Sequence, residues 1–213
     1  MKFEQLLVLV GDEPVFETAL LFAGDVDPAD VQRQLSRWTR TGRVVQLRKG
    51  LYALAPPFRK VIAHPFVVAN RLVPPSYVSM ESALAHHGLI PEHVPVTTSV
   101  TTGRTGRFTT ALGVYAFHQI KQDLFWGYEL MDLADGQQGF VAAPEKALLD
   151  LVHQRSGADA PEYLGELRLQ NLDLLDRATL RGMAARAQSP KLARAAEVIA
   201  QRMDREAEEY ELV

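Results

Sequence analysis

The stretch VQRQLSRWTRTGRVVQLRKGLYAL, residues 31–54, decides the reading of this chain. Its first half has helical periodicity. Val31, Leu35 and Trp38 are spaced i, i+4, i+7 and line one stripe. Arg33, Arg37 and Arg40 repeat the same spacing on the opposite side, with Ser36 beside them. Asp27-Pro28 supplies an N-cap residue followed by proline at the first helical position. The predicted helix runs to about Thr41 and stops at Gly42. The second half is β-like. Val44–Leu47 and Leu51–Leu54 form two apolar runs, and Lys49-Gly50 supplies the positive φ of a tight turn. The hairpin therefore presents Arg48 and Lys49 at its tip.

Working outward, residues 3–10 and 14–23 read as two short helices, split by Gly11-Asp12-Glu13-Pro14 and closed by Gly24. Three short helices followed by a basic-tipped hairpin is the order of a winged helix-turn-helix. In that design the third helix enters the major groove and the wing holds flanking backbone. Charge is segregated in the same sense. Residues 28–60 carry eight Arg and Lys against Asp30 alone, whereas residues 61–213 carry 14 against 19 Asp and Glu. One basic segment in an acidic chain is the footprint of a phosphate-binding surface. The expected DNA-binding residues are Gln32, Arg33, Ser36, Arg37, Arg40, Arg43, Arg48 and Lys49. The same residues also fit a protein-interaction module whose basic face docks an acidic partner, or a merely solvated face.

The 213 residues, close to half of them hydrophobic, suffice for a substantial core. The absence of cysteine excludes disulfides and thiolate metal sites. The apolar run Leu6–Val10 is too short for a secretory signal or a membrane span, so a cytoplasmic protein with no membrane partner is expected.

The remainder predicts a mixed α/β domain. Domain organisation is expected as residues 1–57 (winged helix-turn-helix), 58–75 (a connector with one short helix opened by His64-Pro65) and 76–213. Within Tyr77–His87, Ser79 is expected to cap a helix that holds Glu81 in its first turn and stops at Gly88. Strands are expected near 96–102, 114–120, 126–133 and 138–142, and a helix from Pro144 to about His153. After Pro161 the chain reads as helical, with Leu192, Ala195, Ile199 and Met203 as the last helix's stripe and an acidic tail from Asp204. The loop TTGRTGRF has no Walker-type Lys-Ser/Thr; its Arg104 and Arg107 are candidate secondary contacts to phosphate or a partner.

Chemistry finds little support in the pattern. His86-His87 are adjacent and diverge by about 100° on a helix, and no His pair has metal-ligand spacing. Lys146 and Asp150 are i, i+4 neighbours and read as an ordinary helix pair. A nuclease would need a metal and clustered carboxylates, but Asp123, Glu129, Asp132 and Asp135 are scattered. No catalytic residue, metal or cofactor is expected, and the chain is not read as an enzyme.

The segments RKGLYAL, YVSMESALAHHGLIPE, TTSVTTGRTGRF and APEKALLDL, in that order, resemble the AbiEi family of antitoxins and related predicted transcriptional regulators. The resemblance spans about residues 10–205. It implies an N-terminal winged helix and a C-terminal α/β domain, hence an α+β fold. It also implies a type IV toxin–antitoxin or abortive-infection operon encoding a nucleotidyltransferase-type toxin. Autorepression would come from binding inverted repeats in the operon's own promoter. The chain is expected as a monomer in solution or pairing on DNA, since a two-fold site calls for two copies. Arg33, Arg37, Arg40, Arg48 and Lys49 would match the family's DNA-contacting helix and wing. Orphan regulators without a toxin belong to the same resemblance. The acidic balance of residues 61–213 departs from the basic C-terminal domains of the family and limits C-terminal DNA contact to Arg104 and Arg107.

Overall fold

Proline and glycine set most of the element boundaries. The computed structural model describes residues 1–22 and 26–211. In chain order the elements are α1 (Phe3–Val10), β1 (Phe16–Glu17), α2 (Pro28–Arg40), β2 (Val44–Arg48), β3 (Leu51–Leu54), α3 (Pro65–Leu72), β4 (Ser76–Val78), α4 (Met80–His86), β5 (Val96–Thr101), β6 (Gly106–Thr110), β7 (Gly113–Gln119), β8 (Tyr128–Asp132), β9 (Gln138–Ala142), α5 (Pro144–Gln154), α6 (Pro161–Glu166), α7 (Arg177–Arg186) and α8 (Pro190–Glu211). Helices α2, α3, α5, α6 and α8 all begin at proline, where the missing N–H costs nothing. The protein is α+β, with a three-stranded sheet in the order β1-β3-β2 and a six-stranded sheet in the order β6-β7-β5-β4-β9-β8.

The helix expected over 14–23 does not form. Phe16 and Glu17 pair with Tyr52 and Leu51 of β3, and a 3-10 turn follows at Thr18–Phe22. The reason lies in two neighbours. Val15 belongs to the large core and Phe16 to the small one. An extended backbone sends adjacent side chains to opposite sides, which a helix cannot do. The expected stop at Gly24 lies outside the described residues.

The β2–β3 hairpin uses the same alternation. Val44, Tyr52 and Leu54 join Phe3, Leu6, Val31, Leu35 and Trp38 in the small core. Leu47, Leu51 and Ala53 face the other way into the large core. The hairpin is thus shared between the two sheets' cores.

In the larger sheet β4/β9 and β5/β7 are parallel and the other pairs antiparallel. Strands β4 and β6 were not anticipated. Tyr77 and Val78 begin no helix but pair with Val100 and Ser99. Arg107 lies on β6, opposite Ala116, and not in a loop. Helix α3 packs on β4 and β9, and α5 packs against α4, α7 and α8. The expected stripe of α8 (Leu192, Ala195, Ile199, Met203) is buried. The acidic tail continues the helix, with Asp204 paired to Arg177.

His64 caps α3, its Nδ1 accepting the Phe66 N–H at 3.2 Å. Burial holds its imidazole below the usual histidine range. Protonation removes the only acceptor on Nδ1 and with it the cap. A folded pKa below the unfolded value of about 6.5 gives stability that is present above pH 6.5 and lost as pH falls through the folded value. We expect His64→Asn, which keeps a cap acceptor without titrating, to flatten the decline in urea midpoint between pH 7 and pH 5. Parallel curves for the two proteins would contradict this.

Candidate nucleic-acid interface

Helix α2 is built as its sequence pattern requires. The Asp27 side chain accepts the Ala29 N–H at 2.9 Å, and Pro28 occupies the first position. Val31, Leu35 and Trp38 are buried, with Trp38 edge-on to Phe3 at 5.3 Å. Gly42, at φ 70, then turns the chain into β2. Docking this stripe leaves Gln32, Arg33, Ser36, Arg37 and Arg40 exposed together. Arg33 is paired with Asp30 one turn away, and this contact raises its already high pKa. Arg37, Arg40, Gln32 and Ser36 make no side-chain hydrogen bond or ion pair among the described residues.

The flanking cations are placed differently. Arg43 is exposed, with its guanidinium 4.9 Å from the Phe3 ring centroid. Arg48 does not project from the hairpin. It donates to the carbonyls of Lys49 at 3.0 Å and Arg71 at 3.2 Å, so it ties β2 to the end of α3. Lys49 remains exposed at the turn. Gly50, at φ 85, closes that turn, and its carbonyl accepts the Thr18 N–H at 2.9 Å. The hairpin tip is therefore short and fixed from behind. Arg104 and Arg107 are exposed on and beside β6, an outer strand of the larger sheet. Arg107 there lines a groove of about 570 Å³ together with His118 and Arg155. The structure thus brings five of the expected residues onto one helix face, leaves Lys49 exposed on the adjoining hairpin, and puts Arg104 and Arg107 on or beside a strand of a different sheet.

A buried ionic group was missed in the sequence. Lys146 and Asp150 are 3 % and 1 % exposed and form an ion pair within α5. Asp150 Oδ2 accepts from the Tyr77 hydroxyl at 3.0 Å and the Ser79 hydroxyl at 2.7 Å. Lys146 Nζ donates to the Tyr77 oxygen at 2.9 Å and lies 5.2 Å from the Trp126 ring centroid. Burial pulls the ammonium pKa down, opposed by the Asp150 charge. Burial and Asp150 together push the Tyr77 phenol up. Ser79 gives no side-chain cap to α4, because its hydroxyl is spent on Asp150. The group is closed in, and its geometry serves to lock β4 to α5. The detectable signal was α5 itself: Ala147, Leu148, Leu149, Leu151 and Val152 leave no polar side for a surface pair.

Gly127 makes room for this group. Its φ is 76, and a Cβ there would stand 3.0 Å from Lys146 Cγ and 3.1 Å from Cδ. We expect Gly127→Ala to destabilise the protein by about 1–3 kcal/mol, measured by urea unfolding; a change below about 0.5 kcal/mol would contradict the packing described.

Among the described residues no group of three or more His, Asp or Glu is placed to hold a metal ion, and no helix is long and apolar enough to cross a membrane. No protein-family model matches the chain, and no curated protein matches it significantly.

Proposed function

We propose that this chain is a DNA-binding transcriptional regulator, the antitoxin and autorepressor of a toxin–antitoxin operon. On this reading β1, the 3-10 turn, α2 and the hairpin act as a winged helix-turn-helix in which the turn replaces the second helix. The observation that carries the reading is the exposed face of α2. Gln32, Ser36, Arg37 and Arg40 lie together on a helix whose other side is fully anchored, with no internal partners among the described residues. Arginine on such a face can take guanine O6 and N7 as a pair, and glutamine can take adenine N6 and N7. Lys49, and Arg43 beside the helix end, are suited to flanking phosphate. Arg48 acts indirectly, by holding the hairpin against α3. Two copies on an inverted repeat would place their helices about 34–36 Å apart, one turn of DNA. The antitoxin role, opposing a nucleotidyltransferase-type toxin, rests on the four ordered segments that resemble the AbiEi family.

The test is binding of the purified chain to duplex DNA from upstream of its own gene and to a scrambled duplex of the same composition. A preference of about 10³-fold or more is expected of a specific regulator. Equal, weak binding to both would overturn autorepression.

A further inference from the structure

Strand β8 is an outer strand of the six-stranded sheet, paired with β9 alone. Its ladder is framed by the Ala143 N–H on the Gly127 carbonyl at 2.9 Å and the Leu133 N–H on the Gln137 carbonyl at 2.7 Å. Antiparallel pairs alternate, so Glu129 and Met131 exchange hydrogen bonds with β9, while Tyr128, Leu130 and Asp132 direct N–H and C=O away from the sheet. No main-chain or side-chain partner meets those outward groups among the described residues. The strand has no bulge, no proline and no lysine, three of the devices that keep an edge from pairing, and its charges are Glu129 and Asp132. At its centre Leu130 is 52 % exposed, and its cross-strand neighbour Phe140 is 43 % exposed.

The segment that forms the edge also has one sign of charge, with Arg71 the cation that shares the groove beside Leu130 and Phe140. Between Lys121 and Lys146 there is no Lys, Arg or His, while Asp123, Glu129, Asp132 and Asp135 all fall in that span. Glu129 and Asp132 are exposed on the strand itself. Being three apart, they point to opposite faces of the sheet.

We propose that β8 is a docking edge for an extended, basic segment of a partner protein, which adds to the sheet as a further strand. The outward N–H and C=O groups of Tyr128, Leu130 and Asp132 provide the main-chain ladder. Glu129 and Asp132 select Lys or Arg on both faces of the incoming segment, and Leu130 with Phe140 takes an apolar side chain at its middle. Charge complementarity decides against a second copy paired through the same edge. A two-fold seam would set two acidic strands side by side with no cation on either strand, a destabilising arrangement. This proposal is independent of the DNA-binding reading, which uses α2 and the hairpin.

The probe is the blocked heptapeptide Thr-Lys-Lys-Val-Lys-Lys-Thr, which carries Lys on both faces of a strand, titrated into the full chain, with its Lys-to-Glu counterpart as control. Saturable binding is expected only for the basic peptide, weakening as salt rises. Amide exchange at Tyr128, Leu130 and Asp132 should slow on binding. The double variant Glu129→Lys, Asp132→Lys changes only exposed side chains, and its retained fold is checked by its melting curve. It should lose affinity at least tenfold. The proposal fails if the basic peptide does not saturate, if it binds without protecting those amides, or if the double variant binds it equally. It fails also if the chain alone doubles its mass with those amides already protected, since the edge would then belong to a second copy.

Discussion

Replacing Lys146 by Met is expected to cost about 3–5 kcal/mol of folding stability, the penalty of leaving a buried partner charge uncompensated. Methionine fills nearly the same volume, so the loss reports charge and not a cavity. Asp150, 1 % exposed, would keep the hydroxyls of Tyr77 and Ser79 but lose its only cation among the described residues. A loss this large is a substantial share of the 5–15 kcal/mol that holds a typical domain together. The double variant Lys146→Met, Asp150→Leu should recover part of it, because contacting residues are non-additive and no charge is then left unpaired, while the Tyr77 and Ser79 hydroxyls, buried and without Asp150, keep the recovery incomplete. Urea unfolding followed by circular dichroism measures both. A single-variant cost below about 1 kcal/mol, or strictly additive costs, would mean that the pair is not the lock between β4 and α5.

Replacing Arg37 by Ala is expected to weaken binding to the upstream duplex by about 1–3 kcal/mol and to relax preference at one base position, the behaviour of a base-reading arginine. Arg40→Ala, at the end of the same face, should behave similarly if it reaches a base edge, or lower all affinities alike if it reaches phosphate. Arg33→Ala should cost less, since its guanidinium is already held by Asp30. Arg48→Ala separates the hairpin's support from any contact to DNA. Its guanidinium holds the Arg71 carbonyl, so the variant should lower stability before it alters the dependence of binding on salt. Competition titrations of each variant on matched and single-substituted duplexes measure the discrimination; an Arg37→Ala variant with unchanged affinity and specificity would remove α2 from the groove.

Helix α2 and the hairpin were legible in the sequence because each signal there is local: an Asp-Pro start, an apolar stripe of three residues at i, i+4 and i+7, a glycine stop, and a Lys-Gly turn. Helix α5 was legible in extent for the same reason. Its chemistry was not, since the spacing of Lys146 and Asp150 is the same for a surface pair and for a buried one. The apolar residues around them in α5 carry the signal of burial, but the partners Tyr77 and Ser79, some seventy residues earlier, leave no local mark. Strand β1 was misread as helix because Phe16 and Glu17 become a strand only by pairing with β3, a contact more than thirty residues away. Strand β6 was absorbed into a loop because Gly103 and Gly106 punctuate it, while its partner β7 decides its conformation. Arg48 was expected at the DNA because a hairpin tip is usually free; its capture by the Arg71 carbonyl depends on where α3 packs.

The measurement that bears most directly on the role of α2 is the slope of log affinity against log salt, taken for the wild-type chain and for Lys49→Ala on the upstream duplex. Each phosphate contact contributes about −0.9 to the slope on duplex DNA. The account predicts a steep wild-type slope, reduced by about one unit in Lys49→Ala with sequence preference intact, and preference lost in Arg37→Ala. A flat wild-type slope, or identical slopes in wild type and Lys49→Ala with Arg37→Ala fully specific, would contradict it.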